Sequence, residues 1–368
     1  MSAPLPLPRW ADLALVPALN VAAAFALSGL VVLAIGENPI DATRILFSGS
    51  LGSAYGLGYT LYYATNFIFT GLCVAVAFHA GLFNIGGEGQ AYIAGLGAAL
   101  VLLYMPALPG VLLVPLGIAG AALFGAAWAV VPAWLQAKRG SHIVITTIMF
   151  NWIATTLMAY LLVSVMRLPT QMNPETPAFP AQSQLPKLDG FFAAVGLKVQ
   201  STPLNLAFVL ALGAAGAVWW LIWRTRLGYE IRTVGISPRA ALYAGMSPAR
   251  VTILAMAISG ALAGGLAVNE LMGFQHRLLL EFTAGYGFVG IAVALMGRGH
   301  PFGIVLASIL FGMLYQGGAE LAFEKPKISR DMIVVIQGLV VLFAGALEGL
   351  FRRPLSRWLS GRSSAART

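Results

Sequence analysis

The sequence predicts an all-α protein, a polytopic transmembrane helical bundle with about ten spans. Of its 368 residues, 59% are hydrophobic and only 10% are charged, whereas a typical soluble domain has about 25% charged residues. Thirteen acidic and 22 basic residues cannot cover a soluble core of this size. Soluble enzymes, disordered proteins and secreted disulfide scaffolds are therefore disfavoured.

The spans follow from the length of the apolar runs, because a membrane-crossing helix needs roughly 20 apolar residues. Ten segments are candidates, and the eighth and ninth are short enough to form one broken pair. They are residues 13–35, 58–79, 83–104, 110–133, 143–166, 204–223, 250–272, 284–297, 301–317 and 332–351. The first is expected to be a retained peripheral helix, since its apolar run is too long for a signal peptide.

The net charge of +9 fits either a nucleic-acid partner or a membrane protein with basic cytoplasmic loops. With the N-terminus inside and alternating sides, 14 of the 22 basic residues but only 4 of the 13 acids lie inside. This asymmetry predicts a multi-pass protein with both termini cytoplasmic and no nucleic-acid partner. We expect a single domain over residues 1–368, with a core at 58–351 and a basic cytoplasmic tail at 352–368.

Two connections are long. Residues 167–203 form a proline-rich periplasmic loop with one short helix expected at 188–196, and residues 224–249 form a basic cytoplasmic loop. Spans 2–5 and 7–10 run in opposite directions, and a polar interruption follows the first helix of each block, at 81–90 and at 269–281. Paired interruptions in an inverted repeat point to a solute pathway.

The first interruption carries Asn84, Glu88 and Gln90 among four glycines. A carboxylate at the bilayer centre costs about 2.5–3.5 kcal/mol, so Glu88 should face protein or a wet cavity. One interpretation is a broken helix that lines the pathway. The other is an interfacial turn in which Glu88 caps the following helix, and the sequence leaves both open.

Further candidate pathway residues lie within or beside the spans. They are Asn66, Thr147, Asn151 and Asn269. Thr147 and Asn151 share one helix face. Interhelical hydrogen bonding is the alternative role for these residues, and Gly260-x-x-x-Gly264 is expected to be a helix-packing motif.

The cytoplasmic loop at 224–249 contains the signals of a short helix. Ser237 can cap a helix that begins at Pro238, and Gly245 stands where a helix-ending glycine belongs. A short helix exposing Ala, Leu and Tyr is expected to dock in a partner's groove, although an ordinary basic loop is the alternative. Ala240 and Ala241 give this helix a face of small residues.

Motifs for chemistry are absent from the sequence. It contains no G-x-x-x-x-G-K-[ST] and no H-E-x-x-H, and no G-x-S-x-G. We expect no catalysis, no metal and no cofactor in this chain. Residues 285–290 match a dinucleotide fingerprint by letters, but no strand precedes them.

The residues of the first interruption carry a resemblance. Residues 81–90, Gly-Leu-Phe-Asn-Ile-Gly-Gly-Glu-Gly-Gln, are similar to the signature of the larger permease subunit of bacterial nucleoside-type ABC importers. That family belongs to the branched-chain amino acid, ribose and simple-sugar permeases. Residues 144–151 resemble its span-5 motif, and residues 228–245 resemble its coupling region. The resemblance implies that the ATPase contact is made by Arg232, Gly235, Ser237, Arg239, Ala240, Ala241 and Gly245. Two residues depart from the pattern: Ile143 replaces a frequent Glu, which leaves the solute open, and Ser237 replaces a frequent Asn.

The resemblance implies an inner-membrane permease that moves a small polar solute by alternating access. A nucleoside is the expected solute, and a monosaccharide is the nearest rival. The implied partners are ATPase subunits that bind ATP and Mg, a second homologous permease, membrane lipid and a periplasmic or lipoprotein solute-binding protein. That protein is expected to dock at 167–203 and 318–331. An ion-driven carrier is the alternative of another class, with Glu88, Glu270 and Glu348 as its candidate carboxylates.

Overall fold

A computed structural model describes residues 15–167, 172–190, 200–328 and 330–342. Within these ranges the regular structure is helical, and the β-type pairings are two isolated bridges. The α-helices are α1 Val16–Ala34, α2 Pro39–Leu51, α3 Ala54–His79, α4 Gly87–Tyr104, α5 Gly110–Arg139, α6 Ile143–Tyr160, α7 Ala207–Arg224, α8 Arg226–Ile236, α9 Pro238–Tyr243, α10 Pro248–Ala267, α11 Tyr286–Met296, α12 Pro301–Glu324 and α13 Arg330–Val341. A π-helical segment, Val268–Gln275, continues α10. The predicted all-α polytopic fold is confirmed.

Six helices among the described residues are long and apolar enough to cross a membrane. They are α3, α5, α6 with its continuation to Val165, α7, α10 with the π segment, and α12. α1 and α2 make a seventh candidate if they count as one span, bent by 119°. The span number of about ten remains a prediction.

Several predicted boundaries were wrong. α2 was missed because Asp41 and Arg44 interrupt its apolar run, although Asn38 caps it and Pro39 is its first residue. By contrast, α11 lies within the predicted segment 284–297, and its 11 residues are too few to cross a membrane alone, as the short apolar run had indicated. α12 continues to Glu324, seven residues beyond the predicted end. The short helix predicted at 188–196 falls mainly outside the described residues.

The contacts divide the chain into two compact units. The peripheral unit comprises residues 1–53 and 313–368, and the core unit comprises residues 54–312. In the peripheral unit, an apolar cluster joins α1, α2, the end of α12 and α13. In the core unit, α3 is almost wholly buried and packs against α7, α10 and α11.

Glycines allow a close helix contact in the core unit, between α5 and α10. A Cβ atom on Gly125 would overlap the carbonyl oxygen of Gly260, and a Cβ on Gly260 would overlap that of Gly125. Gly264 faces the backbone of Ala121 in the same way. The packing role predicted for Gly260 and Gly264 is confirmed, and this contact positions α10 and its polar residues.

Both predicted interruptions are present in part: residues 87–90 of the first are already helical, and residues 269–275 of the second belong to the π segment. Residues 80–86 separate α3 from α4, and residues 276–285 separate the π segment from α11. Asn84 and Gly86 lie in the first, while Asn269 lies in the π segment that precedes the second. The inverted repeat itself remains a prediction.

Candidate functional site

The first polar site lies where α3, α4 and α10 meet, and we call it the Asn84 cluster: Cys73, Asn84, Gln90 and Ser259. Asn84 Nδ2 donates to Gln90 Oε1 at 3.0 Å and to Ser259 Oγ at 2.9 Å. Gln90 Nε2 returns a hydrogen bond to Asn84 Oδ1 at 3.1 Å. Asn84 Oδ1 also accepts from the Gly86 N–H at 2.9 Å, which shapes the turn before α4. All four side chains are buried, so the cluster is a satisfied polar network inside the core unit.

Asn151 on α6 also hydrogen-bonds to segment 81–90. Its Nδ2 donates to the Ile85 carbonyl at 3.0 Å, and its Oδ1 accepts from the Gly89 N–H at 2.9 Å. Thr147 is also buried, but its hydroxyl donates to the Ile143 carbonyl of its own helix at 2.8 Å. Of the two predicted α6 residues, Asn151 contacts segment 81–90 through hydrogen bonds and Thr147 lies beside Gly86.

We expect Asn151→Ala to lower the free energy of unfolding by about 1–3 kcal/mol, because it leaves the Gly89 N–H and the Ile85 carbonyl buried without that partner. Denaturant titration of the purified chain in mixed micelles measures the change. Thr155→Val is the control, since the Thr155 hydroxyl bonds only within α6. Equal free energies of unfolding for the two variants would contradict a stabilising role for the Asn151 hydrogen bonds.

Glu88 is the second residue of α4, yet its carboxylate reaches another helix. Oε1 accepts from the Gly285 N–H at 2.9 Å, and Oε2 accepts from the Gly287 N–H at 2.7 Å. The Thr283 hydroxyl also hydrogen-bonds to this carboxylate. A carboxylate suits these groups because the first N–H groups of a helix lack intrahelical acceptors. Glu88 therefore caps α11 rather than α4, the helix named in the sequence-based interpretation.

A second polar site joins α3, the π segment and the residues before α7. We call it the Glu270 cluster: Tyr62, Asn66, Asn205, Asn269 and Glu270. Glu270 Oε1 accepts from the Tyr62 hydroxyl and from Asn66 Nδ2, both at 2.6 Å. Asn269 Nδ2 donates to Asn66 Oδ1 at 2.9 Å, and Asn205 Nδ2 donates to Asn269 Oδ1 at 3.0 Å.

All five members of the Glu270 cluster are at most 3% exposed. A carboxylate at such a position in a membrane helix costs a few kcal/mol, and among the described residues its hydrogen-bond partners are neutral. Asn66 and Asn269 were predicted from the sequence, and the structure brings them together. Tyr62 and Asn205 were missed, and Glu270 was named only as part of the 269–281 interruption and as a candidate carboxylate of the ion-driven carrier. For Tyr62, its four-residue spacing from Asn66 on α3 was the available signal.

The predicted docking helix is present as α9. Ser237 Oγ accepts from the Ala240 N–H at 3.3 Å, and Pro238 is the first residue of the helix. Gly245 takes a left-handed backbone conformation with φ of 77°. The expected exposure of Ala241 is wrong, because Ala241 is fully buried, whereas Leu242 and Tyr243 are 60% and 95% exposed. The side chains available to a partner are therefore Leu242, Tyr243 and the exposed Arg239 and Ala240.

Arg232 and Gly235 lie on α8 rather than on α9. Arg232 is only partly exposed, and its Nε is buried without a hydrogen-bond partner. Gly235 packs against the backbone of residues 79–81: a Cβ on Gly235 would overlap the His79 carbonyl, and one on Gly81 would crowd the Gly235 carbonyl. Gly81 has φ of 72°, a conformation that favours glycine. The α8–α9 hairpin is thus in direct backbone contact with the start of segment 81–90.

Buried amides on helices long and apolar enough to cross a membrane are typical of membrane transport proteins. Comparison with known proteins gives the family. The chain belongs to the family described as branched-chain amino acid transport system / permease component, whose profile matches residues 56–345.

Three transport proteins are similar to this chain over most of its length. It is 35% identical to the glucose ABC transporter permease protein of Haloferax volcanii, over 89% of this chain and 86% of that protein. It is 33% identical to the nucleoside ABC transporter permease protein of Lactococcus lactis subsp. cremoris, over 89% and 90%. It is 32% identical to the guanosine ABC transporter permease protein of Bacillus subtilis, over 90% and 93%.

These comparisons confirm the resemblance drawn from residues 81–90. The chain is an ABC transporter permease, a transport component rather than an enzyme, and an integral membrane protein. The names of the relatives include both sugars and nucleosides, so the family alone leaves the solute class open.

Proposed function

We propose that this chain is the membrane subunit of an ATP-driven importer for a small uncharged polar solute. A nucleoside is the solute that we favour, and a monosaccharide is its nearest rival. Both are uncharged and rich in hydroxyl groups, which suits a route flanked by amides. The pathway residues of this proposal are Asn66, Asn84, Glu88, Gln90, Thr147, Asn151 and Asn269.

The observation that carries the proposal is the contact between the α8–α9 hairpin and segment 81–90. Exposed α9 side chains would receive motion from a partner, and Gly235 would pass it to the backbone at His79–Gly81. That backbone leads directly into Asn84, which holds the Asn84 cluster together. Movement of α9 would therefore reach the Asn84 cluster through direct backbone contacts, with no flexible linker between α9 and the cluster.

The partners belong to the same proposal. ATPase subunits would bind ATP and Mg and seat on α9, with both termini of this chain on their side of the bacterial inner membrane. The relatives from L. lactis and B. subtilis each have a second similar permease protein in the same organism, 27% and 26% identical to this chain. We therefore include a second, homologous permease, and a solute-binding protein at 167–203 and 318–331.

The test is uptake by proteoliposomes that hold this chain with its ATPase, second permease and binding protein. We expect ATP-dependent accumulation of radiolabelled adenosine, and Tyr243→Asp should weaken ATPase association about tenfold or more, since exposed aromatic side chains dominate such interfaces. Tyr104→Asp is the matched control, because Tyr104 is 79% exposed at the far end of α4.

Two outcomes would contradict the proposal. Normal ATPase association by Tyr243→Asp would remove α9 from the coupling route. Accumulation of solute by this chain alone, driven by a proton gradient and without ATP, would assign it to the ion-driven carriers, for which the buried carboxylate of Glu270 would be the candidate ion-binding group.

A further inference from the structure

The Glu270 cluster combines a carboxylate, three asparagine amides and a phenol, all of them buried. Segment 81–90 also has a carboxylate and amides, but it has no phenol. Resting on the proposed function, we infer that Glu270, with Asn66 and Asn269, selects solutes by a pair of neighbouring hydroxyl groups on a sugar ring. The cluster would then be the specificity site for the sugar part of the solute, in nucleosides and monosaccharides alike.

In the hydrogen bonds around Glu270 the carboxylate is the acceptor, and a sugar hydroxyl can donate to it in the same way. The Tyr62 hydroxyl and Asn66 Nδ2 both donate to the same oxygen, Oε1, at 2.6 Å. The Gln275 side chain also hydrogen-bonds to this carboxylate. Neutral donors thus surround an acceptor-only group. Two sugar hydroxyls are neutral donors too, so they can replace Tyr62 and Asn66 without a change of charge.

The asparagine amides would donate hydrogen bonds to the oxygens of the same sugar hydroxyls. A hydroxyl that donates to Glu270 still has lone pairs to satisfy, and Asn66 Nδ2 becomes available as a donor when it leaves Oε1. Asn269 is held in place from both sides, by Asn66 Oδ1 at 2.9 Å and by Asn205 Nδ2 at 3.0 Å. In the present structure the cluster bonds to itself, which is the closed form of such a site.

Aromatic rings border the cluster. The ring of Tyr62 lies 5.3 Å from that of Phe274, and Tyr63 lies 6.2 Å from Tyr286, measured between centroids. Rings next to planar amides and a carboxylate offer an apolar face to a base or sugar while the polar groups take the hydroxyls. Phe274 belongs to the π segment, a conformation found often at functional sites.

A bound cation is the competing explanation for a buried carboxylate. It would need several oxygen ligands around Glu270, whereas the neighbours of Oε1 present hydrogens to it. The polarity of the bonds therefore favours a hydroxyl-bearing ligand.

The experiment compares adenosine with 2′-deoxyadenosine in proteoliposomes holding the complete transporter, and glucose with 2-deoxyglucose in parallel. The readout is the ratio of the two initial uptake rates, because the binding protein and ATPase are the same in every sample. We expect the intact chain to favour the sugar with the full hydroxyl pair by about tenfold, the size of one well-made hydrogen bond. In Glu270→Gln this ratio should fall to the affinity ratio of the isolated binding protein.

Two further variants complete the test. Tyr62→Phe keeps the ring and removes one internal donor that competes for Glu270, so it should raise the ratio even if Glu270→Gln does not assemble. Glu230→Gln, which alters a surface carboxylate paired with Arg226, should leave the ratio unchanged. An equal fall in uptake of both sugars in Tyr62→Phe would mean a structural role and would overturn the inference.

The remaining outcomes separate this inference from the proposed function. Uptake of either pair with the same ratio in the intact chain and in Glu270→Gln would overturn only the inference. A ratio that follows the sodium gradient would assign Glu270 to a cation and would also overturn it. Absence of ATP-dependent uptake of both adenosine and glucose by the intact transporter would contradict the proposed function and the inference together.

Discussion

Gly235→Ala is expected to reduce ATP-driven uptake at least tenfold while the chain still inserts and binds its ATPase. The reason is steric: the added methyl group would overlap the His79 carbonyl and crowd the backbone of Ala80 and Gly81. α8 must then move away from the turn that leads into Asn84. Uptake and ATP hydrolysis measured in the same proteoliposomes distinguish loss of coupling from loss of assembly.

Gly216→Ala is the matched control. Gly216 lies within α7, no atom stands within 4 Å of the position that its Cβ would take, and both substitutions add the same helix-favouring methyl group. We expect the control to transport normally and to gain slightly in stability. Equal uptake by Gly235→Ala and Gly216→Ala would show that the contact between α8 and residues 79–81 carries no motion.

Glu88→Ala is expected to have the second large effect, on stability as well as on transport. It removes the acceptor of two N–H groups at the start of α11, those of Gly285 and Gly287. Hydrogen bonds to a charged group contribute about 1.5–3 kcal/mol each, so we expect a loss of about 3 kcal/mol or more. Denaturant titration in mixed micelles measures it, with uptake assayed in parallel.

Two comparisons sharpen this prediction. Glu88→Gln keeps one carbonyl oxygen and should fall between the intact chain and Glu88→Ala in both assays. Glu230→Ala breaks a surface pair with Arg226 and should cost under about 0.5 kcal/mol. If Glu88→Ala were as stable as Glu230→Ala, the carboxylate would not be supporting α11, and a direct role on the solute would become the better account of any transport defect.

The fold class was predictable because hydropathy is a local property of the chain. Runs of apolar residues predicted most of the helices, and Ser237 with Pro238 predicted the start of α9 to the residue, since a cap depends on its immediate neighbours. α2 escaped prediction for the same reason, because Asp41 and Arg44 make the segment less apolar than a span. The burial of Ala241 could not be predicted, as it depends on how α9 lies on α8 and α10.

For the candidate site, the sequence predicted many of the residues and the structure showed their contacts. The sequence by itself determined which polar residues lie among apolar runs, and so proposed Asn66, Asn84, Glu88, Gln90, Thr147, Asn151 and Asn269. Only the tertiary structure decided what they contact. Tyr62 meets Glu270 across 208 residues of sequence, and Glu88 meets Gly287 across 199.

The physical reason lies in what each kind of contact depends on. Capping, turn formation and hydropathy involve neighbours within a few residues, whereas interhelical hydrogen bonds depend on how helices are aligned and rotated against each other. In this chain, close packing such as that of Gly125 on Gly260 sets that alignment. One sequence therefore determines a membrane bundle with polar interruptions, and the packing of its helices determines that those residues form two separate buried clusters.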